Sequence, residues 1–106
     1  MYIFRVFTFL CLFSSVLLAE DKLNILQKKA DGGDVKAVYE LAESLYWAKG
    51  VKRDLVQAGD YAHVGALKGY PLAKYRYAVM QLLGQGMEQN VKAGLKLLTE
   101  AIPSIE

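Results

Sequence analysis

The sequence predicts an all-α fold, a short α-solenoid of stacked antiparallel helical hairpins with about five helices in two repeats. Three observations support this prediction. Small residues and one tyrosine recur at a fixed distance along the chain. Between them, apolar residues are spaced as on one face of a helix, and no segment alternates with the two-residue period of a strand. Aspartate, asparagine, proline and glycine stand where helices would begin and end.

The repeat has a spacing of 36 residues. Internal similarity at such a period is typical of stacked helical hairpins. Matched positions are Ala30/Ala66, Gly33/Gly69, Ala37/Ala73, Tyr39/Tyr75, Ala42/Ala78 and Gly50/Gly86. When one residue is then dropped, Val56–Gly59 aligns with Val91–Gly94, and Ala66 aligns with Ala101. Charged residues do not recur, which indicates that the repeated feature is packing.

The residues predicted to pack the repeats together are the small and aromatic ones that this alignment matches. They are Ala37, Tyr39, Ala42, Gly50, Ala58, Ala66, Gly69, Ala73, Tyr75, Ala78, Gly86 and Ala93. Alanine and glycine allow close approach of helices, so each hairpin can stack on its neighbour. We expect Tyr39 and Tyr75 to fill the same groove in successive repeats.

Residues 1–19 are predicted to be a secretory signal peptide. Arg5 precedes an uncharged apolar run from Val6 to Ala19, and the chain becomes polar at Glu20. The run is shorter than the roughly 20 residues of a membrane-spanning helix. We expect cleavage after Ala19 and a periplasmic or secreted protein. An uncleaved segment that anchors the chain in the inner membrane is the alternative.

Cysteine usage agrees with this placement. Cys11 is the only cysteine, and it lies inside the apolar run, where it is poorly placed for lipidation. The chain after residue 19 can therefore form no disulfide. Small secreted domains commonly rely on disulfides. Their absence favours a bacterial periplasm and a fold that helices hold together alone.

The first half of the remaining chain divides into a leading helix, residues 20–33, and a first repeat, residues 34–69. Leu23, Leu26 and Ala30 give the leading helix its apolar face, and two glycines end it. Asp34 caps a helix that runs to about Ala48, where Lys49 and Gly50 stop it. Asp54 caps the next helix, which Gly69 ends. Leu55, Ala58, Ala62, Gly65 and Ala66 share one face of that helix.

The second repeat covers residues 70–103 and leaves a tail at 104–106. Pro71 suits the first turn of a helix. That helix runs to about Leu83, where the glycines of a GQG sequence stop it. Asn90 caps a last helix with apolar residues at helical spacing, and we expect Pro103 to end it.

The arrangement resembles the Sel-one-like repeat (SLR), a relative of the tetratricopeptide repeat. The family's unit runs approximately A-x-Y-x-L-G-x-x-Y-x-x-G-x-G-V, then D-x-x-K-A-x-x-W, then A-A-x-x-G. The first repeat reads AVYELAESLYWAKGV, DLVQAGDY and GALKG, and the second reads AKYRYAVMQLLGQGM, NVKAGLK and TEA. The resemblance covers residues 30–101. Ala42 and Ala78 replace the usual glycine, and the second repeat is one residue short.

The resemblance implies a scaffold or adaptor that binds other proteins. Some bacterial members are periplasmic, and some neutralise secreted effector enzymes. Certain cysteine-rich members are associated with hydrolysis of β-lactams, but this chain lacks their paired cysteines. We therefore expect a non-catalytic module in the bacterial cell envelope. An immunity-type inhibitor of an effector enzyme is the alternative, and a small hydrolase is a third, disfavoured hypothesis.

The residues that carry chemistry do not form a site in the sequence. His63 is the only histidine and the chain after residue 19 has no cysteine, whereas a metal site needs several ligands. After residue 19 the only hydroxyl nucleophiles are Ser44, Thr99 and Ser104, and none has a histidine nearby in sequence. The glycine pattern lacks the strand and the lysine of a phosphate-binding loop. We predict no catalytic residue, no cofactor and no metal.

Charge argues against nucleic acid as a partner. The formal net charge is only +2, and basic residues alternate with acidic ones along the chain. That pattern is typical of a soluble surface and not of a basic stripe. No membrane contact is expected beyond the signal or anchor segment.

The residues predicted to contact a partner protein lie on the first helix of each repeat, which lines the inner surface in proteins of this type. They are Glu40, Glu43, Tyr46, Trp47, Arg76 and Gln81. Tryptophan, tyrosine and arginine are enriched in binding hot spots. Tyr46 and Trp47 are adjacent, so at least one of them must point outward. Two alternatives remain: the glutamates form only a solvated face with Lys36, and Trp47 caps the core of the hairpin.

Two repeats are fewer than the roughly three that such arrays generally need. Leu95, Leu97, Leu98 and Ile102 cannot all face the preceding helix. We therefore expect apolar surface at the C-terminal end of the stack, which a partner or a second copy in a homodimer would cover.

Overall fold

The computed structural model describes residues 22–105, so the predicted signal peptide lies outside the described residues. This part of the chain forms five helices and no strand. Helix α1 covers residues 22–31. The others are α2 (Val35–Trp47), α3 (Leu55–Leu67), α4 (Pro71–Leu83) and α5 (Val91–Ile105). Helices α2 and α3 pack as one hairpin, α4 and α5 as the next, and α3 contacts α4. The predicted all-α solenoid of hairpins is confirmed.

Polar side chains begin three of these helices, as predicted. The Asp34 carboxylate accepts a hydrogen bond from the backbone N–H three residues later at 3.3 Å. Asp54 accepts the equivalent bond at 3.0 Å, and the Asn90 side chain does so at 3.0 Å. Each bond satisfies a backbone donor that the first turn of a helix leaves free. Pro71 begins α4, where its missing N–H costs nothing.

The two hairpins follow the same 36-residue register throughout. Helices α4 and α5 begin 36 residues after α2 and α3, and Asn90 follows Asp54 by the same distance. The predicted deletion of one residue in the second repeat is therefore wrong. The match of Val56–Gly59 to Val91–Gly94 is a chance similarity in sequence and does not align equivalent positions of the structure. Gly94, which is buried, and not Ala93 is the structural counterpart of Ala58.

The turns also repeat, with one difference from the prediction. Gly84 and Gly86 have φ of 68° and 67° after α4. At the end of α2 the equivalent residues are Ala48, with φ of 56°, and Gly50, with φ of 74°. The left-handed residue that ends α2 is thus Ala48, ahead of the glycine expected to do so. Its N–H bonds the carbonyl of Ser44, which satisfies the last turn and stabilises the unusual conformation.

Small residues bring the helices together. A Cβ placed on Gly65 would lie 2.6 Å from the Cβ of Ala73, so α3 and α4 touch almost backbone to backbone. Ala42, Ala58 and Ala78 are fully buried. Of the other residues predicted to pack the repeats, Ala37 and Ala73 are buried, Ala66 is half-buried, and Gly50, Gly69 and Gly86 form turns.

Helix α1 covers the N-terminal side of the first hairpin. Leu26 is buried against Ala37 and Leu41 of α2. The hydroxyl of Tyr61 on α3 donates to Oε1 of Gln27 at 2.7 Å. The leading helix therefore closes one end of the stack.

At the other end, α5 passes Pro103 and continues to Ile105, so the prediction that this proline ends the helix is wrong. Proline has a helical φ and removes only one N–H, and near the end of a helix that loss leaves a single carbonyl free. None of the helices within residues 22–105 is both long and apolar enough to span a bilayer.

A candidate protein-binding face on the first helices of both repeats

Side chains of helices α2 and α4 meet on one surface, which we call the α2–α4 face. Tyr39, Glu43 and Trp47 project from successive turns of α2, since they are four residues apart. Tyr75 and Arg76 project from α4. Leu72 and Leu83, three residues before and eight residues after Tyr75, are exposed on the same helix.

An ion pair joins the two helices at the centre of this face. Nε of Arg76 donates to Oε1 of Glu43 at 2.6 Å, and Nη2 donates to Oε2 at 3.2 Å. The two side chains are only 13% and 14% exposed. Burial lowers the pKa of Arg76, but the hydrogen bond and the charge of Glu43 outweigh it, so that the pKa is raised. Arg76 therefore stays protonated, and its two bonds to Glu43 join the two helices.

Trp47 is held firmly although it is exposed. Its indole N–H donates to Oε2 of Glu43 at 2.9 Å. Its ring packs edge-on against Tyr46, with centroids 4.9 Å apart and planes at 74°. Trp47 is nevertheless 55% exposed. The prediction that one of these two aromatic residues points outward is confirmed, and the one that does so is Trp47.

Tyr46 was predicted to contact a partner, but the structure buries it to 6% exposure. Its hydroxyl donates to Oε1 of Gln85, in the loop between α4 and α5, at 2.7 Å. The guanidinium carbon of Arg76 lies 4.3 Å from its ring centroid. Arg53 donates to its backbone carbonyl at 3.1 Å. Tyr46 is thus the support beneath Trp47 and Arg76, and its ring is not available to a partner.

Tyr39 and Tyr75 occupy the same position in the two repeats but differ in environment. Tyr39 packs against Tyr70, with ring centroids 5.4 Å apart. Burial raises the pKa of Tyr39; the charge of Glu43 raises it further and that of Arg76 opposes. Tyr75 is 41% exposed. The expectation of one shared packing role fails because the residue that covers Tyr39 comes from the next repeat, and residues 22–105 contain no further repeat to cover Tyr75.

Two other residues that were predicted to contact a partner, Glu40 and Gln81, are only partly exposed. Glu40 is half-buried on α2, four residues after the exposed Lys36. Gln81 is half-buried on α4, and its Oε1 is buried without a hydrogen-bond partner in the described part of the chain. Gln81 is therefore turned into the protein and does not belong to the α2–α4 face.

The side chains of the α2–α4 face are of the kinds that bind another molecule. The face presents aromatic and aliphatic groups around a paired charge. His63 lies elsewhere, exposed on α3 and stacked on Tyr77 with ring centroids 4.7 Å apart. Within residues 22–105 no three histidine, cysteine, aspartate or glutamate side chains are close enough together to hold a metal ion.

Sequence reasoning missed the supports of this face. Tyr70, Gln85 and Arg53 contact the aromatic residues from loops and neighbouring elements, and no local pattern signals such contacts. The exposed residues of α4 were detectable, since Leu72, Tyr75 and Leu83 share one side of the helix by spacing.

A solved structure supports the architecture. The chain is 28% identical, with a TM-score of 0.72, to the crystal structure of a protective antigen present in uropathogenic Escherichia coli strains, described as displaying an SLR fold. The match covers 77% of this chain and 18% of that protein, so the chain spans about a fifth of its length. No protein-family model matches the chain, and no curated protein matches it in sequence. The resemblance to the Sel-one-like repeat is thus confirmed at the level of the fold.

Proposed function

We propose that this chain is a non-catalytic protein-interaction module of the bacterial cell envelope that binds a partner protein through the α2–α4 face. The SLR fold is a helical-repeat architecture, and stacked helical repeats create extended surfaces for binding. The observation that carries the proposal is Trp47, a large aromatic side chain that is 55% exposed and yet fixed by its neighbours.

Preorganisation is the physical reason that a fixed, exposed tryptophan indicates binding. Ordering a mobile side chain at an interface costs about 0.5–1.5 kcal/mol. Trp47 is already held by Glu43 and by the ring of Tyr46. A partner therefore gains the contact area of the indole ring without ordering it, as a hot spot requires.

The partner is expected to present apolar groups to this face. The carboxylate of Glu43 already accepts bonds from Arg76 and from the indole N–H of Trp47. The ion pair is thus satisfied internally, and Trp47 offers the carbon atoms of its ring, since its N–H is already bonded. Leu72, Tyr75 and Leu83 add further exposed apolar area along α4. Binding should therefore rest mainly on apolar contact, and the exposed Lys36 on α2 should add a smaller dependence on salt.

Placement in the envelope rests on the N-terminal sequence. A cation followed by the apolar run and the polar switch at Glu20 is typical of an exported chain. Scaffold or adaptor within an envelope assembly is the role that we propose. An immunity-type role differs in the identity of the partner, which would be an enzyme that this chain inhibits.

The test is capture of the partner from the native envelope. The full chain with a C-terminal tag is purified with and without a cross-linker, as wild type and as Trp47→Ala and Tyr75→Ala. Leu67→Ala is the matched control, because Leu67 is 75% exposed but lies on α3. We expect one stoichiometric partner that both face variants lose and the control retains. Equal recovery with all four chains would refute this binding face.

A further inference from the structure

The 36-residue register identifies a row of four positions that differs between α3 and α5. On α3 the row consists of Leu55, Gly59, Ala62 and Ala66, which are buried or half-buried. The equivalent row on α5, which we call the α5 row, consists of Val91, Leu95, Leu98 and Ile102. Leu98 is half-buried, and the other three are between 45% and 52% exposed.

The row on α3 is the face that receives the second repeat. A Cβ on Gly59 would lie 2.8 Å from Cε of Met87 and 3.5 Å from Cε of Met80. A Cβ on Gly86 would collide with the carbonyl of Leu55. Both contacts come from the second repeat. The α5 row is therefore the same stacking face one repeat later, and no part of residues 22–105 buries it in the same way.

The side chains of the α5 row do not suit another repeat of the same kind. Leu95, Leu98 and Ile102 stand where α3 has Gly59, Ala62 and Ala66. A hairpin that approached α5 as closely as the second repeat approaches α3 would meet a leucine where α3 has no side chain. Large apolar side chains at this spacing of four, three and four residues instead suit the seam between two paired helices.

We propose that a second copy of this chain covers the α5 row with its own α5, in an antiparallel pair around a two-fold axis. The row reads the same in both directions, with a β-branched residue at each end and two leucines between. In an antiparallel pair Val91 meets Ile102 of the second copy, and Leu95 meets its Leu98. The helix dipoles then oppose each other, which is favourable.

The covered N-terminal end argues against the other way in which two copies could stack. Head-to-tail association needs a free face on α2, and α1 occupies that face through Leu26. The two-fold arrangement needs only one self-complementary surface and cannot extend into a filament. This interface is separate from the α2–α4 face and does not depend on the function proposed for it.

The length of the α5 row limits the affinity of the proposed dimer. Its four residues extend over about 16 Å of helix at a rise of 1.5 Å per residue. A contact of that length between two single helices buries less surface than the roughly 1,200–2,000 Å² of a standard stable interface. We therefore expect a reversible dimer with a Kd of about 10 µM or weaker, visible as a concentration-dependent association.

Sedimentation velocity over a concentration series tests the proposal. The full chain is purified in the form in which the cell accumulates it, as wild type, Leu95→Lys and Leu67→Lys. We expect Leu95→Lys to weaken association by tenfold or more, while Leu67→Lys leaves it unchanged. Circular dichroism verifies that each variant is folded, which is expected because Leu95 is half exposed.

Cross-linking tests the antiparallel geometry independently. In chains with Cys11→Ser, a short bis-maleimide should join Val91→Cys to Ile102→Cys when the two variants are mixed. Val91→Cys alone should not cross-link, since two copies of that residue would lie about 16 Å apart along the helices. A strictly monomeric wild type, equal weakening by Leu67→Lys, or equal cross-linking of Val91→Cys alone would overturn the proposal. Capture of a different protein by a cross-linker at position 95, in place of a second copy, would overturn it as well.

Discussion

Helices α3 and α5 hold the same place in successive hairpins, yet one buries the face that the other exposes. On α3, Gly59 leaves room for the thioether ends of Met80 and Met87. On α5 the equivalent position is Leu95, which is 52% exposed. The difference teaches that residue size marks which face of a repeat receives another. A glycine indicates a close stack, and a leucine at the same position indicates a surface of another kind.

The largest expected effect comes from Gly86, in the turn after α4, where the second repeat contacts the first. Gly86→Ala places a methyl group against the backbone carbonyl of Leu55, at a residue with φ of 67°. Because backbone cannot move aside as a side chain can, we expect a loss of about 3 kcal/mol or more in the free energy of unfolding. Urea denaturation followed by circular dichroism measures it.

Gly69→Ala is the matched control for that variant. Its φ is 83°, but a Cβ there meets nothing within 4 Å. The loss should then be only the backbone strain of about 1–2 kcal/mol. Equal losses for the two variants would contradict the close contact between the repeats.

The second largest effect is expected when Gly59 of α3 is replaced by leucine, the residue at the equivalent position of α5. Gly59→Leu inserts a side chain where Cε of Met87 lies 2.8 Å from the Cβ position. We expect the free energy of unfolding to fall by about 1–3 kcal/mol from overpacking, less the roughly 0.8 kcal/mol that leucine gains over glycine in a helix. Met87→Ala removes the neighbour, so the double variant should be more stable than the sum of the two single effects predicts. Strict additivity would show that the strain at position 59 does not come from Met87.

A smaller effect is expected from the ion pair at the centre of the α2–α4 face. A double-mutant cycle of Glu43→Gln and Arg76→Gln should give a coupling of about 1–2 kcal/mol, between the values for exposed and buried pairs. Glu43→Gln alone should also lower the fluorescence anisotropy of Trp47, because the neutral amide oxygen accepts the indole N–H bond more weakly than the carboxylate does. A cycle without coupling would mean that the ion pair does not join the helices.

The smallest effect concerns pH. Burial raises the pKa of Tyr39 above its ordinary value of 10.0. The folded protein therefore holds this proton more tightly than the unfolded chain, and the associated stability is present below pH 10 and is lost as the pH rises through the folded pKa. Tyr39→Phe should flatten the alkaline part of the stability profile. An unchanged profile would show that Tyr39 does not titrate differently in the folded state.

Much of the fold was predictable because its signals are local. Asp34, Asp54 and Asn90 cap helices with their own side chains, and glycines follow the helix ends within a few residues. The left-handed Ala48 could not be predicted, since alanine carries no preference for that conformation and only the packed hairpin enforces it. The start of the last helix was predicted correctly, but its alignment to α3 was wrong by one residue, because the match of Val56–Gly59 to Val91–Gly94 conflicts with the match of the two caps, Asp54 and Asn90.

The candidate site was less predictable because its contacts are long-range. The sequence indicated that Tyr46 or Trp47 points outward, but the choice depends on Gln85 and Arg76, which come from the second repeat. The pairing of Glu43 with Arg76 spans 33 residues and has no helical spacing. Tyr75 has the same place in its repeat as Tyr39, yet it is exposed because residues 22–105 hold no third repeat that could cover it.

The most direct test of the binding face uses Trp47, which is the only tryptophan in the chain and therefore reports on this face alone. Its emission and its quenching by acrylamide are measured as the captured partner, labelled by a tryptophan analogue with separate emission, is titrated in. We predict that emission shifts to shorter wavelength and that quenching falls as the complex forms. Emission and quenching that stay unchanged while the partner binds would contradict the assignment of the α2–α4 face.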